Sequence, residues 1–206
     1  MSKETFNTEG GSTEYFTVSD GQLVKRVKEP TAMSTSRTNK NGVTVHEERY
    51  KALTGKLIKS ELRESQYGKD WSFTIAHEGG RYVVQMPHGS RYATDFAKRF
   101  PNIDLNQEVK LQPWAMVDEA SGKKRAGISI YQGGQKVEPF YTRDSAEQMP
   151  QLKQVKVSGK MVWDSTELDE FVDAILGGLN KALVDTPYTD SDGHFDNLPE
   201  GEPAPF

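Results

Sequence analysis

The chain of 206 residues contains no cysteine. This absence excludes disulfides, thiolate zinc ligands and cysteine nucleophiles, and it fits a reducing compartment. Hydrophobic residues make up only 34% of the chain, so we expect part of it to stay outside the core. No apolar run approaches the ~18 residues of a membrane helix, and the N-terminus "MSKETFNTEGG" lacks the apolar core of a signal peptide. The sequence therefore predicts a soluble cytoplasmic protein with no membrane partner.

Motifs of catalysis and metal binding are also missing. The four histidines are scattered, without the i,i+4 pair of a zinc-binding helix. The sequence has no phosphate-binding P-loop and no G-x-S-x-G nucleophile elbow. Residues 190–193 mimic part of an EF-hand, but that register places Pro199 where the bidentate glutamate must stand. We therefore expect a protein that is not an enzyme and has neither a metal nor another cofactor.

Charge is distributed very unevenly along the chain. Residues 21–160 carry 24 Lys and Arg against 15 Asp and Glu, a net charge of +9. Residues 161–206 carry one lysine and 11 acidic residues, a net charge of −10. A basic body with an acidic end points to a nucleic-acid partner or a partner bound through the tail. The alternative is that the acidic end only keeps the chain in solution.

Alternating and helical patterns predict the fold of the basic body. Residues 13–27 indicate a β-hairpin around Asp20-Gly21, and residues 28–42 indicate a loop. Five strands and one helix follow, and they are predicted at 48–64, 71–78, 81–87, 90–100 for the helix, 107–119 and 125–132. Three strands, a helix and two strands are the order of a five-stranded OB barrel. We therefore predict a mainly β, α+β protein: an OB-fold barrel with an N-terminal hairpin and a C-terminal helix.

The C-terminal part is predicted to add a hairpin or strand at 152–163 and an amphipathic helix at 164–183. The apolar stripe of this helix fits two uses, sealing the barrel or forming a homodimer. The resulting division has four parts. It consists of a disordered N-terminus at 1–11, an OB-fold domain at 12–163, the helix at 164–184 and a disordered acidic tail at 185–206.

Basic residues interleaved with aromatics are the chemistry that the body offers. On the fourth strand, Lys110 and Trp114 fall on the face opposite the apolar Val109 and Leu111. A cation for phosphate beside a flat ring for a base is what a single strand requires. The alternative is that Trp114 packs under the N-terminal hairpin or the C-terminal helix.

The complete set of candidate binding residues follows the loops and strands that flank the nucleic-acid face of OB folds. For Trp71, core packing is the favoured alternative because it shares a strand face with Phe73 and Ile75, although less firmly than for Phe73 because Trp71 stands at the start of the strand. The candidates are Lys56, Lys59, Arg63, Tyr67, Lys69, Trp71, Tyr82, Lys110, Trp114, Lys123, Lys124, Arg125 and Tyr131.

Together with the tail "DNLPEGEPAPF", this pattern resembles phage-type single-stranded DNA-binding proteins, which combine an OB barrel with an acidic tail that ends in Phe. The resemblance implies a protein that coats and protects single-stranded DNA during phage replication, recombination or repair. It also implies that the tail recruits replication or recombination proteins and competes with DNA for the basic groove. The implied partner-binding residues are Asp190, Asp192, Asp196, Glu200, Glu202 and Phe206.

Two further functions remain open at the level of sequence. One is an RNA-binding module on the same fold. The other is a protein-interaction or virion component whose basic patch is incidental.

Overall fold

A computed structural model describes residues 13–66, 68–78, 80–142, 145 and 148–185. Its strands are β1 (Thr13–Ser19), β2 (Gln22–Val27), β3 (Thr35–Thr38), β4 (Thr44–Tyr50), β5 (Leu53–Ser65), β6 (Gly68–His77), β7 (Gly80–Pro87), β8 (Val109–Val117), β9 (Lys124–Gln132), β10 (Gln135–Lys136), β11 (Lys153–Val157) and β12 (Lys160–Asp164). Its helices are α1 (Arg91–Arg99) and α2 (Thr166–Asp185), and a 3-10 turn at Phe100–Asn102 follows α1.

Ten strands form one mixed sheet in the order β10-β9-β8-β5-β6-β7-β1-β2-β4-β3. The predicted five-stranded closed barrel is therefore wrong, although the α+β class is compatible with what is observed. Closing a barrel from β5 to β9 would require β7 to pair with β9. Instead, the free edge of β7 pairs in parallel with β1, from Thr13 opposite Arg81 to Thr17 opposite Gln85. The predicted N-terminal hairpin is thus part of the main sheet and not an addition to a closed barrel.

Local predictions agree better with the structure. The β1–β2 hairpin turns at Asp20-Gly21, both with positive φ, as its sequence indicates. The strand predicted at 48–64 consists of two strands, β4 and β5, and its register shift falls between Leu57 and Lys59 rather than at Gly55. The loop predicted at 28–42 contains the short strand β3.

Helix α1 begins where the sequence predicts. The Ser90 side chain accepts a hydrogen bond from the Ala93 N–H, which caps one of the free donors of the first turn. Phe96 is fully buried, and its ring centroid lies 4.4 Å from that of Phe73 on β6. The helix therefore packs on the core face of the sheet, next to β7 and β9.

Helix α2 covers the same core. Val172, Leu176 and Leu179 of its apolar stripe are buried within the chain. Two hydrogen bonds fix the helix on the sheet: the Ser60 hydroxyl donates to the Leu176 carbonyl at 2.9 Å, and the Trp71 indole N–H donates to Asp173 at 3.0 Å. The apolar stripe of α2 is therefore buried within the chain and does not provide a surface for a homodimer. Homodimer formation stays a prediction.

Strands β11 and β12 form a separate two-stranded sheet just before α2. Their turn at Ser158-Gly159 has positive φ at both residues, as in two-residue hairpins whose twist matches that of the strands. In the described part of the chain, neither helix is long and apolar enough to cross a membrane.

Candidate nucleic-acid interface

Four cross-strand pairs line one face of the β8–β9 hairpin, which we call the β8–β9 outer face. They are Lys110 with Tyr131, Gln112 with Ser129, Trp114 with Gly127 and Met116 with Arg125. The alternate residues Val109, Leu111 and Pro113 point to the core and are buried. Because successive strand residues point to opposite faces, this register places two aromatic, two cationic and two polar residues on one surface about 20 Å long.

The Trp114 ring packs against Gly127. A Cβ atom placed on Gly127 would lie 2.7 Å from Trp114 Cζ2 and 2.5 Å from a carboxylate oxygen of Asp95. The same Asp95 carboxylate accepts the Ile128 N–H at 2.9 Å and pairs with Arg99. The absence of a side chain at position 127 therefore lets the indole lie across β9, where it remains half-buried.

The β1–β2 turn supports the backbone under Trp114. A Cβ atom on Gly21 would lie 2.3 Å from the Ala115 nitrogen and 2.7 Å from the Trp114 carbonyl carbon. The Gly21 N–H donates to the Tyr92 hydroxyl of α1 at 2.9 Å. The N-terminal hairpin thus contacts the β8 main chain at Trp114 and Ala115. The alternative interpretation placed the Trp114 ring itself under this hairpin or under the C-terminal helix, whereas the ring is half-buried.

Three cations stand at the tip of the β8–β9 hairpin. Lys124 is 80% exposed with its Nζ 3.7 Å from Asp20, and Arg125 is 63% exposed with a 2.7 Å ion pair to Asp118. The pKa of Asp118 lies below its ordinary value, first because the Ser121 N–H donates to this carboxylate and also because Arg125 does. Asp118 therefore stays ionised and partly neutralises Arg125, whereas Lys123 is exposed with no ion pair among the described residues.

At the other end of the outer face, Tyr131 lies between two lysines. It is in register with Lys110 on β8 and with Lys136 on β10. Neither lysine forms an ion pair within the described residues. The sequence analysis missed Lys136 because the two-residue strand β10 is too short to show alternation.

A groove of about 520 Å³ runs between this hairpin, α1 and the start of α2. Trp114 and Arg125 form one wall, and Leu152 and Leu168 contribute to the other. Helix α1 adds Arg91 and Lys98, which the sequence analysis did not single out. Arg91 donates to the Lys124 carbonyl at 2.5 Å and so ties α1 to the hairpin tip.

Strand β5 carries three of the predicted cations, Lys56, Lys59 and Arg63. Lys59 and Arg63 both pair with Glu61 between them. Burial tends to raise the pKa of Glu61, but hydrogen bonds from both cations outweigh this effect and lower it. Two of the three cations predicted to bind DNA from this strand therefore already have a carboxylate partner. The third, Lys56, is half-buried.

The remaining candidates divide into three groups. Lys69 is exposed near Glu64, at a distance of 3.6 Å. Trp71 and Tyr82 are buried, at 3% and 1% exposure, so neither ring offers a face to a base. Tyr67 lies outside the described residues, as do all the tail candidates: Asp190, Asp192, Asp196, Glu200, Glu202 and Phe206.

The arrangement can bind a flexible polyanion that carries flat rings. Two half-exposed aromatics provide stacking surfaces, and lysines that have no ion pair within the described residues stand at both ends to contact phosphates. The described residues hold no cluster of three or more potential metal ligands. Comparisons with protein-family models, curated proteins and solved structures returned no match for this chain.

Proposed function

We propose that this protein binds single-stranded DNA without sequence preference, and that the β8–β9 outer face is its binding surface. The observation that carries the proposal is the alternation of Trp114 and Tyr131 with Lys110, Lys136 and Arg125 on one partly exposed strand face. A ring stacks on any base, so this surface favours binding that does not depend on sequence.

The magnitudes fit a binder with many weak contacts. Two stacked bases contribute roughly 2–6 kcal/mol, whereas a micromolar dissociation constant corresponds to about 8 kcal/mol. Phosphate contacts must supply the difference, and they do so through counterion release that weakens with salt. The lysines without ion pairs on and around the outer face are suited to this role.

The wider role follows the resemblance noted from the sequence. The protein would coat and protect single strands in the cytoplasm of a phage-infected cell during replication, recombination or repair. The acidic segment 186–206 would recruit the other proteins of these processes. The charge segregation in the sequence supports this part of the proposal, since a basic body attracts an acidic segment at low salt.

The proposal is tested with fluorescently labelled oligo-dT and two variants. Trp114→Ala is expected to weaken binding about 5- to 140-fold, the equivalent of one lost stack. The triple variant K123A/K124A/R125A is expected to reduce the slope of log affinity against log salt by about 2, at ~0.7 for each phosphate contact. Lys28→Ala with Lys40→Ala, two exposed lysines at the other end of the strand order, is the matched control.

Unchanged affinity in both binding variants would show that the basic patch is incidental and would favour a protein-interaction or virion role. Parallel titrations with oligo-U and with duplex DNA separate the remaining alternatives. A preference for oligo-U would replace the DNA assignment with RNA binding, and equal affinity for duplex would contradict stacking as the basis of binding.

A further inference from the structure

The β11–β12 hairpin is the most exposed apolar feature of the described chain. Trp163 is 65% exposed, the highest value among the large apolar side chains that the structure describes, and Met161 is 58% exposed. Burying a tryptophan removes about 150–250 Å² from water, so leaving one on a surface ribbon forgoes a large favourable contribution. The sequence analysis predicted a strand or hairpin here but gave Trp163 no role.

Register shows what surrounds this ring. Trp163 pairs with Gln154, and Met161 pairs with Lys156 on the same face of the ribbon. Lys156 therefore lies diagonally next to the indole, within reach of a long side chain. Lys160 pairs with Val157 on the opposite face. Both lysines are exposed, and neither has an ion pair within the described residues.

Two polar contacts lie at the base of the ribbon, near the start of α2. Lys153 pairs with Glu167 of α2 at 2.5 Å, and Asp164 accepts the Thr166 N–H at 3.0 Å. Helix α2 is itself fixed to the core through Val172 and Leu176. The exposed ring is thus carried on a hairpin whose flanking residues Leu152 and Ser165 line the same groove as Trp114.

We propose that the β11–β12 hairpin is a second contact for the single strand, next to the groove that Trp114 lines. Trp163 stacks on a base, and Lys156 and Lys160 bind phosphates. This inference rests on the proposed function, and it adds a separate site that lengthens the bound stretch. Charge decides the occupant: Lys156 lies beside the exposed indole and Lys160 lies on the other face of the same ribbon, and neither has an ion pair among the described residues. These cations and the ring match a phosphodiester strand, which carries one negative charge and one stacking surface per nucleotide.

The test compares wild type, Trp163→Ala and Trp114→Ala on oligo-dT from about 4 to about 30 nucleotides, a range that brackets known site sizes. Trp163→Ala is expected to weaken binding of the longest strands by about 5- to 140-fold and to leave the shortest strands unaffected at the Trp114 site. Trp163 lies outside the core, so circular dichroism should show an unchanged fold.

Two further measurements address the same site. Lys156→Gln with Lys160→Gln should reduce the salt slope on long strands by about 1.4, while Lys28→Gln with Lys40→Gln should not change it. In a Trp114→Phe variant, Trp163 is the exposed emitter because Trp71 is buried, and saturating long oligo-dT should quench its emission.

The outcomes separate the two proposals. If wild type binds no oligo-dT, the proposed function fails and this inference fails with it. If Trp114→Ala weakens binding but Trp163→Ala matches wild type at every length, the proposed function stands and the second contact is overturned. In that case the exposed ring would serve a protein partner instead.

Discussion

Replacing Gly127 with alanine should displace Trp114 and thereby test how the outer face is built. The backbone φ of Gly127 is outside the left-handed region, so alanine brings no backbone strain. The added Cβ would lie 2.7 Å from the Trp114 ring and 2.5 Å from Asp95. The Asp95 carboxylate is fixed by the Ile128 N–H and by Arg99. We therefore expect the Trp114 ring, rather than Asp95, to move away from the added methyl group.

The expected magnitude follows from this overpacking. An added methyl group in a well-packed site costs about 1–3 kcal/mol. For a protein of 150–250 residues, 1 kcal/mol corresponds to about 2–4 °C in Tm, so Gly127→Ala should lower the Tm by about 2–12 °C. Because the ring no longer lies across β9, its emission should also shift and oligo-dT affinity should fall.

Thermal unfolding followed by circular dichroism and tryptophan fluorescence measures both effects. Gly178→Ala in α2 is the matched control, since open space surrounds that position and alanine is favoured over glycine in a helix by about 1 kcal/mol. A Gly127→Ala protein with wild-type Tm, emission and affinity would show that Trp114 does not lie on Gly127, and the proposed binding surface would have to be abandoned.

Three other perturbations give distinct results. Gly21→Ala should lower the Tm and weaken oligo-dT binding, because Gly21 has φ +76° and its added Cβ would clash with the β8 backbone at Trp114. A Gly21→Ala protein with wild-type Tm and wild-type affinity would show that the β1–β2 turn does not support β8. Burial tends to raise the pKa of Glu47, but the hydrogen bond and charge of Arg37, with Arg49 and Arg26, lower it. This ion pairing therefore stabilises the fold above the ordinary glutamate pKa, and the contribution is lost as pH falls through the lowered value. Glu47→Gln should lower the free energy of unfolding by about 1 kcal/mol at neutral pH and weaken the dependence of that free energy on acid pH, measured by chemical denaturation. An unchanged pH dependence would show that Glu47 does not contribute to it. Deleting residues 186–206 should raise oligo-dT affinity at low salt and abolish recruitment of protein partners, whereas weaker binding by the truncated chain would count against competition between tail and DNA.

Local signals in the sequence predicted most of the elements that build the candidate site. The Asp20-Gly21 turn, the Ser90 cap of α1 and the alternation that places Trp114 opposite Leu111 are all present in the structure. Each of these depends on neighbours within a few residues, which is why pattern alone suffices.

Non-local pairing is what the sequence did not reveal. Strand β1 joins β7 in parallel across more than sixty residues, and nothing in either strand's own pattern specifies that partner. The burial of Trp71 could not be predicted for the same reason, because it depends on a distant element. Its indole N–H donates to Asp173 on α2, and its ring is buried. Trp163 shows the reverse case, because its strand pattern was visible but its exposure depends on β11 and β12 lying outside the main sheet.

Tryptophan emission of the full chain during titration with oligo-dT, repeated at increasing salt, tests the central claim most directly. The account predicts quenching on binding and an affinity that falls linearly on a logarithmic salt scale, by about 0.7 for each phosphate contacted. Absence of binding at about 50 mM salt, where phosphate contacts are strong, would contradict single-strand binding by this protein.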